Sequence, residues 1–400
     1  MKVVNWFFDR PNTEFFKGWA SKWMLGSFLI SLSIYVLGNN SNEYRKSVIA
    51  FALISLFSIF RNGFVTKLSQ QWVLRLTLLF GLYIAFSAFW RPSGLDVFGS
   101  QLKHLLFLVV YLSGIAYLQY KIGLIRSFQV VFFASCIVLS VVSIYIFYPE
   151  HTWSSRLFSY GNIGNAALLV YGFALGVLCG VFLLFDDIKP LSLRVILGIG
   201  TCILTCSALL TQSRGGVIAL FFVLVALLCK RYGRQALILT GVLGAAVCLI
   251  AYMNLDLRDL RVSSIQARFD IWERMLADMQ GRWVFGVGVD GHKLWDLLKP
   301  LGSHSHSIYM ATYYRGGAIG LLLLFVMLFV LFRQLYINRK ERSVQFIAAV
   351  LIYCLILSLS DLEDIFRRPS HIWIYFWLPI GLWLGESVKI QERDCCTKAT

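Results

Sequence analysis

Hydrophobic residues fall into long, nearly unbroken runs separated by short polar stretches. The runs lie near residues 23–38, 47–60, 72–89, 104–120, 127–147, 164–185, 194–211, 216–229, 236–253, 307–332, 344–360 and 371–387. Runs of about 17 to 25 apolar residues match the hydrocarbon thickness of a bilayer, where backbone amides must find partners within their own segment. The pattern therefore predicts an all-α polytopic membrane protein of about twelve transmembrane helices; alternating segments of about ten residues, the mark of a β-barrel, do not occur. The runs at 47–60 and 216–229 are short for a span, so they extend into their flanks or cross a locally thinned bilayer. Residues 1–400 read as one transmembrane domain, with a longer polar segment, 254–305, between the ninth and tenth runs.

Composition supports this reading. With 58% hydrophobic residues, 14% charged residues and a mean hydropathy of +0.70, the chain carries more apolar surface than one soluble core buries. Its net charge of +16 comes from 37 Lys and Arg against 21 Asp and Glu, which in a soluble protein would raise the question of nucleic acid. Here the basic residues gather in alternate short connections: Arg61 and Lys67, Lys121 and Arg126, Lys189 and Arg194, Lys230 to Arg234, and Arg333 to Arg342. An even span count puts both termini on that side, and the positive-inside rule makes it cytoplasmic. The first 22 residues read as an interfacial segment leading into a retained helix, not as a cleaved signal. Most of the nine cysteines lie inside apolar runs and count as small hydrophobes.

The opposite side then holds the chain's polar content: loops at 90–103 and 148–163, the TQSRGG turn at 211–216, the 254–305 segment and DLEDIFRRPS at 361–370. Within the long segment, SSIQARFDIWERMLADMQGRW predicts an amphipathic helix. Its apolar stripe is Ile265, Phe269, Trp272, Leu276 and Met279, and its cap is Ser263 or Ser264. Such a helix over the membrane surface suits a lid on a lipid-facing cavity. It is followed by the glycine-rich turn FGVGVDG, 285–291.

Four residues on this side are candidates for chemistry. Arg214, beside Gly215 and Gly216, reads either as a phosphate seat or as an interfacial arginine snorkelling to headgroups. Arg268 on the lid helix and Arg156 in the 148–163 loop are each a solvated charge when taken singly. Together, three arginines from three loops can converge on a multiply charged anion such as a lipid pyrophosphate. His306, read as the first residue of the tenth span, stands where an imidazole can take a proton from a hydroxyl, or where it simply caps the helix. His304 is the alternative base or a solvated loop residue. On an unbroken helix Tyr309, Met310, Tyr313 and Gly317 share the face of His306. Arg315 then points away, unless Gly316 and Gly317 break the helix. Asp361 either orients an arginine or the histidine, or is solvated. No HExxH, CxxC or Walker motif calls for a metal or ATP, so no cofactor is expected.

These residues resemble the O-antigen ligases, whose superfamily also contains O-antigen polymerases and protein O-oligosaccharyltransferases. The similar stretches are HS at 306–307 followed after nine residues by Gly317 and then Gly320, RLFSYGNIGNAA at 156–167, TQSRGG at 211–216, and ARFDIWERM through GVGVDG at 267–291. The resemblance implies an inverting, metal-independent glycosyltransferase at the periplasmic face of a bacterial inner membrane. Its donor would be O-antigen on undecaprenyl pyrophosphate and its acceptor a sugar hydroxyl of lipid A-core. It also implies that His306 is the catalytic base and that Arg214, Arg268 and Arg156 bind the pyrophosphate. An O-antigen polymerase is the alternative within the superfamily; a polytopic transporter or flippase is the alternative from another class.

Overall fold

The computed structural model describes residues 19–60, 63–90, 94–159, 162–163, 165–185, 190–233, 262–289, 297–299, 305–359, 361–362 and 365–399. Every regular element among them is helical, and they occur in the order α1 (Trp19–Leu37), α2 (Ser41–Phe60), a short α3 (Phe64–Ser69), α4 (Trp72–Phe86), α5 (Gly94–Ile122) and α6 (Leu124–Phe147). Then follow α7 (Ala166–Leu184), α8 (Leu191–Leu210), α9 (Arg214–Tyr232), α10 (Val262–Asp278), α11 (Ile308–Ile337) and α12 (Arg342–Leu357). The last helix, α13 (Leu378–Ala399), is preceded by one π-helical turn, Trp373–Trp377.

Among the described residues, six segments are long and apolar enough to cross a membrane: Trp72–Trp90, Gly94–Ile122, Leu124–Phe147, Ala166–Leu184, Leu191–Leu210 and Ile308–Ile337. Ser21–Leu37 and Arg342–Leu357 are shorter apolar helices. The architecture is that of a polytopic helical membrane protein. The predicted ninth span, 236–253, lies outside the described residues. The two short runs do extend into their flanks, since α2 begins at Ser41 and α9 covers Arg214–Tyr232. The expected loop at 90–103 is corrected: α5 already begins at Gly94, because Leu95, Val97 and Phe98 continue the helix past the point where its charges made it look like a connection.

Contacts between connections show which of them share an end of the bundle. At one end, Leu157 N–H donates to Leu210 O (2.9 Å), Asn162 N–H to Gly38 O (2.9 Å) and Ile308 N–H to Ser358 O (3.2 Å). This is the end that carries the candidate residues, and we call it the site end. At the other, the Lys230 ammonium donates to Arg339 O, and Glu392 accepts from Lys67 and Tyr120. Burial pushes the Glu392 carboxyl up, but the bonds from Lys67 and Tyr120 outweigh it and hold the group below its ordinary value. A depressed carboxylate contributes stability above its unfolded pKa, and that contribution is lost as pH falls through the folded value. The pair is exposed, so we expect Glu392→Gln to cost less than about 1 kcal/mol at neutral pH. In thermal melts the difference from wild type should shrink as pH falls below the ordinary glutamate value of about 4.3 and vanish only below the lower folded value.

The lateral surface is apolar where helices face lipid. On α4 the exposed residues include Leu79, Leu82 and Phe86; on α11 they include Leu322, Phe325, Val326 and Phe329. The interior is aromatic, with Trp373, Trp377 and Trp383 fully buried. Trp377 Nε1 donates to Ile365 O (3.0 Å) and Trp373 Nε1 to Arg367 O (3.0 Å), which pins the 361–370 loop to the start of the last helix.

Two departures from regular helix shape the site end. The first is in α11, where Gly317 takes φ 60°, ψ −160°, a conformation essentially confined to glycine. The Tyr314 and Arg315 carbonyls have lost their partners four residues on, and they accept instead from Val287 N–H (2.7 Å) and Gly288 N–H (3.0 Å). The Ala318 and Ile319 amides donate to Trp283 O (2.9 Å) and Val284 O (3.2 Å). Tyr83 hydroxyl donates to Gly316 O (2.8 Å). A helix interruption at membrane depth is thus repaired by the irregular 283–289 segment, which supplies the bonds that hydrocarbon cannot. Gly286 and Gly317 meet backbone to backbone there. The break at Gly316 and Gly317 on which a role for Arg315 depends exists, and Arg315 sits at it.

The second departure is α10, the helix expected to serve as a lid. Helix α10 forms, and its buried face is Ile271 and Met275, continued by Met279 just past its end and packed with Val287, Leu298 and Tyr314; Trp272 packs against this cluster, so Trp272 and Met279 face inward as expected. Phe269 and Leu276, expected to face inward, are exposed. The sequence is apolar on more than one face of this helix, so three- and four-residue spacing alone picks out the buried face only in part. The cap is corrected too: α10 begins at Val262, ahead of Ser263 and Ser264. Tyr314 hydroxyl donates to Asp278 Oδ2 (2.6 Å), which ties the end of the lid to α11.

Candidate active site

The segment SHS at 305–307 is a tight polar turn. Ser305 Oγ donates to Ser307 O (3.0 Å), and the lid's Trp272 Nε1 donates to Ser305 O (2.8 Å). Ser307 has extended backbone and caps α11, its Oγ accepting from Met310 N–H (3.4 Å). His306 therefore precedes the helix and is not its first residue, as the hydrophobic pattern had suggested. Its φ is 54°, the left-handed region uncommon for any residue but glycine. The expectation that His306 shares a helical face with Tyr309, Met310, Tyr313 and Gly317 is corrected for the same reason: a serine cap puts the histidine in the turn, where its direction is independent of the helix.

That direction is toward Asp361. His306 Nδ1 lies 3.9 Å from Asp361 Oδ1, close enough for an ion pair when the ring is protonated. The same oxygen accepts from Arg268 Nη2 at 3.1 Å. Asp361 is part-buried, its own amide donates to Leu357 O (3.1 Å), and its carbonyl accepts from Tyr171 hydroxyl (3.3 Å) on α7. One carboxylate, delivered just beyond the end of α12, thus joins the lid helix to the turn before α11.

The other two arginines form a second group. Arg156 Nε donates to Thr211 O (2.8 Å), and Gln212 Nε2 donates to Ser154 O (2.8 Å), so the 148–163 loop is clasped to the TQSRGG turn. Gln212 also has a positive φ of 51°. Arg214 is the exposed first residue of α9, at the positive end of that helix's dipole, where backbone amides and the guanidinium can both serve an anion. Two residues on, Gly216 lies flush against Val170 of α7. Val170 and Tyr171 are neighbours in the chain, so the Arg214 turn and Asp361 rest on adjacent residues of one buried helix. This is how the fold brings the Arg156–Arg214 pair and the Arg268–Asp361–His306 group to the same end of the bundle. His304 lies outside the described residues.

A Cβ on Gly216 would run into the side chain of Val170, which is short, branched and rigid. Gly216→Ala should push α9 from α7 and cost about 1–3 kcal/mol. The shift in melting temperature measures that cost, and weaker donor binding should accompany it. An unchanged melting temperature would show that the two helices have room to spare.

Tyr171 escaped the sequence reading because nothing distinguishes a tyrosine in an apolar run from a core residue. Asp361 was visible only as one of two readings, and its joint hold on Arg268 and His306 was not legible. These partners lie 93 positions away in one case and in a different loop in the other.

Fold and site together define a class: a polytopic helical membrane protein that gathers arginines, a histidine and a part-buried carboxylate at one end of its bundle. Within that class, residues 199–325 match the family model described as O-Antigen ligase, a span that includes Arg214, Arg268, His306 and the break in α11. The chain is also similar to the O-antigen ligase of Pseudomonas aeruginosa PAO1, with 24% identity over 387 residues, covering 93% of this chain and 94% of the relative. The resemblance to O-antigen ligases read from the sequence is thereby shown.

Proposed function

We propose that the protein is an inverting, metal-independent O-antigen ligase, transferring a glycan from undecaprenyl pyrophosphate to a lipid A-core hydroxyl at the periplasmic face of a bacterial inner membrane. The observation that carries this reading is the Asp361 carboxylate shared by Arg268 and His306. With Nδ1 turned toward Asp361, Nε2 is the ring nitrogen of His306 that takes the acceptor's proton in this reading. As the ring becomes imidazolium, the nearby carboxylate stabilises the new charge. The acceptor oxygen bonds to the anomeric carbon, and the bond to the pyrophosphate oxygen breaks with its electron pair leaving on phosphate. A single displacement of this kind inverts the anomeric centre.

The departing pyrophosphate needs fixed positive charge, which Arg214 at a helix N-terminus and Arg268 on the lid are placed to supply. Arg156 holds the turn that carries Arg214. Because Arg268 is already paired, its role includes a trade: Asp361 fixes its direction at the cost of part of its charge.

The test is transfer in detergent, with EDTA present, from a purified undecaprenyl-pyrophosphate donor to lipid A-core. The reading expects transfer by wild type, and for Arg214→Ala a rise in donor KM with folding intact. Chain growth on lipid-linked repeat units, without transfer to core, would make the protein a polymerase instead.

A further inference from the structure

The segment that repairs the break in α11 ends in a tip with an unusual surface. Trp283, Val284 and Phe285 are 42%, 53% and 57% exposed. They are consecutive, lie in a stretch that sequence analysis placed in a polar loop, and adjoin apolar residues from a neighbouring connection. Phe285 makes an edge contact with Trp90 (ring centroids 6.0 Å), itself in edge contact with Tyr83 (5.8 Å). Phe86 at the end of α4, Phe89 just after it and Phe98 in the first turns of α5 form a cluster, with centroids 4.8 to 6.1 Å apart. Phe86, Phe89, Trp90 and Leu95 are exposed alongside them.

Three observations say what covers this patch. The first is the backbone. Gly286 N–H donates to Arg282 O (2.7 Å), Val287 and Gly288 donate to the broken helix, and Val289 N–H donates to Ser87 Oγ (3.2 Å). The carbonyls of Trp283 and Val284 are taken by Ala318 and Ile319. An irregular segment tolerates hydrocarbon only when its polar groups are satisfied by protein.

The second is position. The tip is bonded to α11 at residues 314–319, below the first turn of that helix, and it flanks the site-end terminus of the Trp72–Trp90 span. Its exposed side chains continue the lipid-facing surfaces of α4 and α11. The third is the flank: Arg282 donates to Asp278 O (3.1 Å) immediately before the tip, at the place where an arginine reaches from an apolar stem toward headgroups.

We infer that Trp283, Val284 and Phe285 form a re-entrant tip immersed in the acyl chains of the bilayer leaflet at the site end, so that the lid is anchored in lipid as well as to protein. The partner is bilayer hydrocarbon, and the contact is made by side chains while the Trp283 and Val284 carbonyls stay bonded to α11. This inference concerns the lid's seating and holds whichever glycosyl acceptor the site takes.

The experiment uses the full-length protein in phospholipid bilayers. Trp283→Phe removes one indole, and Phe285→Trp adds one to the tip; the difference from wild-type fluorescence isolates position 283 in the first case and position 285 in the second. Immersion predicts a blue-shifted difference emission that loses intensity with lipids brominated near the top of the chains and is untouched by aqueous iodide. Quenching by iodide with a red-shifted emission would place the tip in water and overturn the inference. Insensitivity to both quenchers would mean that protein covers it, such as a second copy of the chain, and would overturn it as well. Both substitutions keep an aromatic ring, so native elution on size exclusion is expected for each, and agreement between the two positions guards against a local disturbance at either one.

Discussion

Alanine at position 306 lowers the rate of glycan transfer by about 10²–10⁴-fold, the range lost with a general base, while the protein stays folded and still binds donor. The effect is large because no other described group is placed to replace the ring. His306 is held in a left-handed turn by Ser305, Ser307 and the lid's Trp272, and that strain is maintained only because the surroundings impose it. Asp361→Asn should lose less than His306→Ala and affect two parameters at once. It removes the charge that stabilises the imidazolium, which lowers kcat, and it frees Arg268, which changes donor KM. A pH–rate profile separates this from simple misfolding, since the acidic limb should move in Asp361→Asn and its height alone should change in a merely destabilised protein. Full activity in His306→Ala combined with loss in His304→Ala would transfer the base to the neighbouring histidine.

Substituting Gly317 or Gly286 by alanine should have one of the largest effects on folding of any single added methyl group among the described residues. Both have positive φ, 60° and 78°. A Cβ on Gly317 runs into the carbonyl oxygen of Val284, and one on Gly286 into the amide of Gly317 and the carbonyl of Arg315. These are backbone atoms, with no rotamer by which to move aside. Forcing a side chain into such a conformation costs about 1–3 kcal/mol. Each bond lost between the two segments then adds about 1 kcal/mol or more. The expected outcome is little or no monodisperse protein after detergent extraction, against normal recovery for Gly26→Ala, where an added Cβ meets nothing. Normal recovery for both site glycines would mean that the break can shift along α11.

Most of the helices were legible in the sequence because a bilayer demands long apolar runs, and the runs at 127–147 and 164–185 agree with α6 and α7 to within a few residues. Boundaries failed where polarity misled: Gly94 to Lys103 is helix despite its charges, and Ser307 ends the turn one residue later than hydropathy suggests. The four site residues were readable as types in loops, but what unites them was not. Asp361 joins residues from two other loops, and a carboxylate in a polar stretch carries no local sign of its partners. Only the break in α11 announced itself, through two adjacent glycines beside an arginine.

That break also has a consequence for how the chain is made. Until residues 283–289 dock, a nascent α11 entering the bilayer would carry two bare carbonyls and two bare amides at its discontinuity. The repairing segment precedes α11 in the chain, so it has already left the ribosome when Gly317 emerges, and the helix can be sealed as it inserts. Were the order of these two stretches reversed, the gap would face lipid for as long as the remaining chain took to be synthesised.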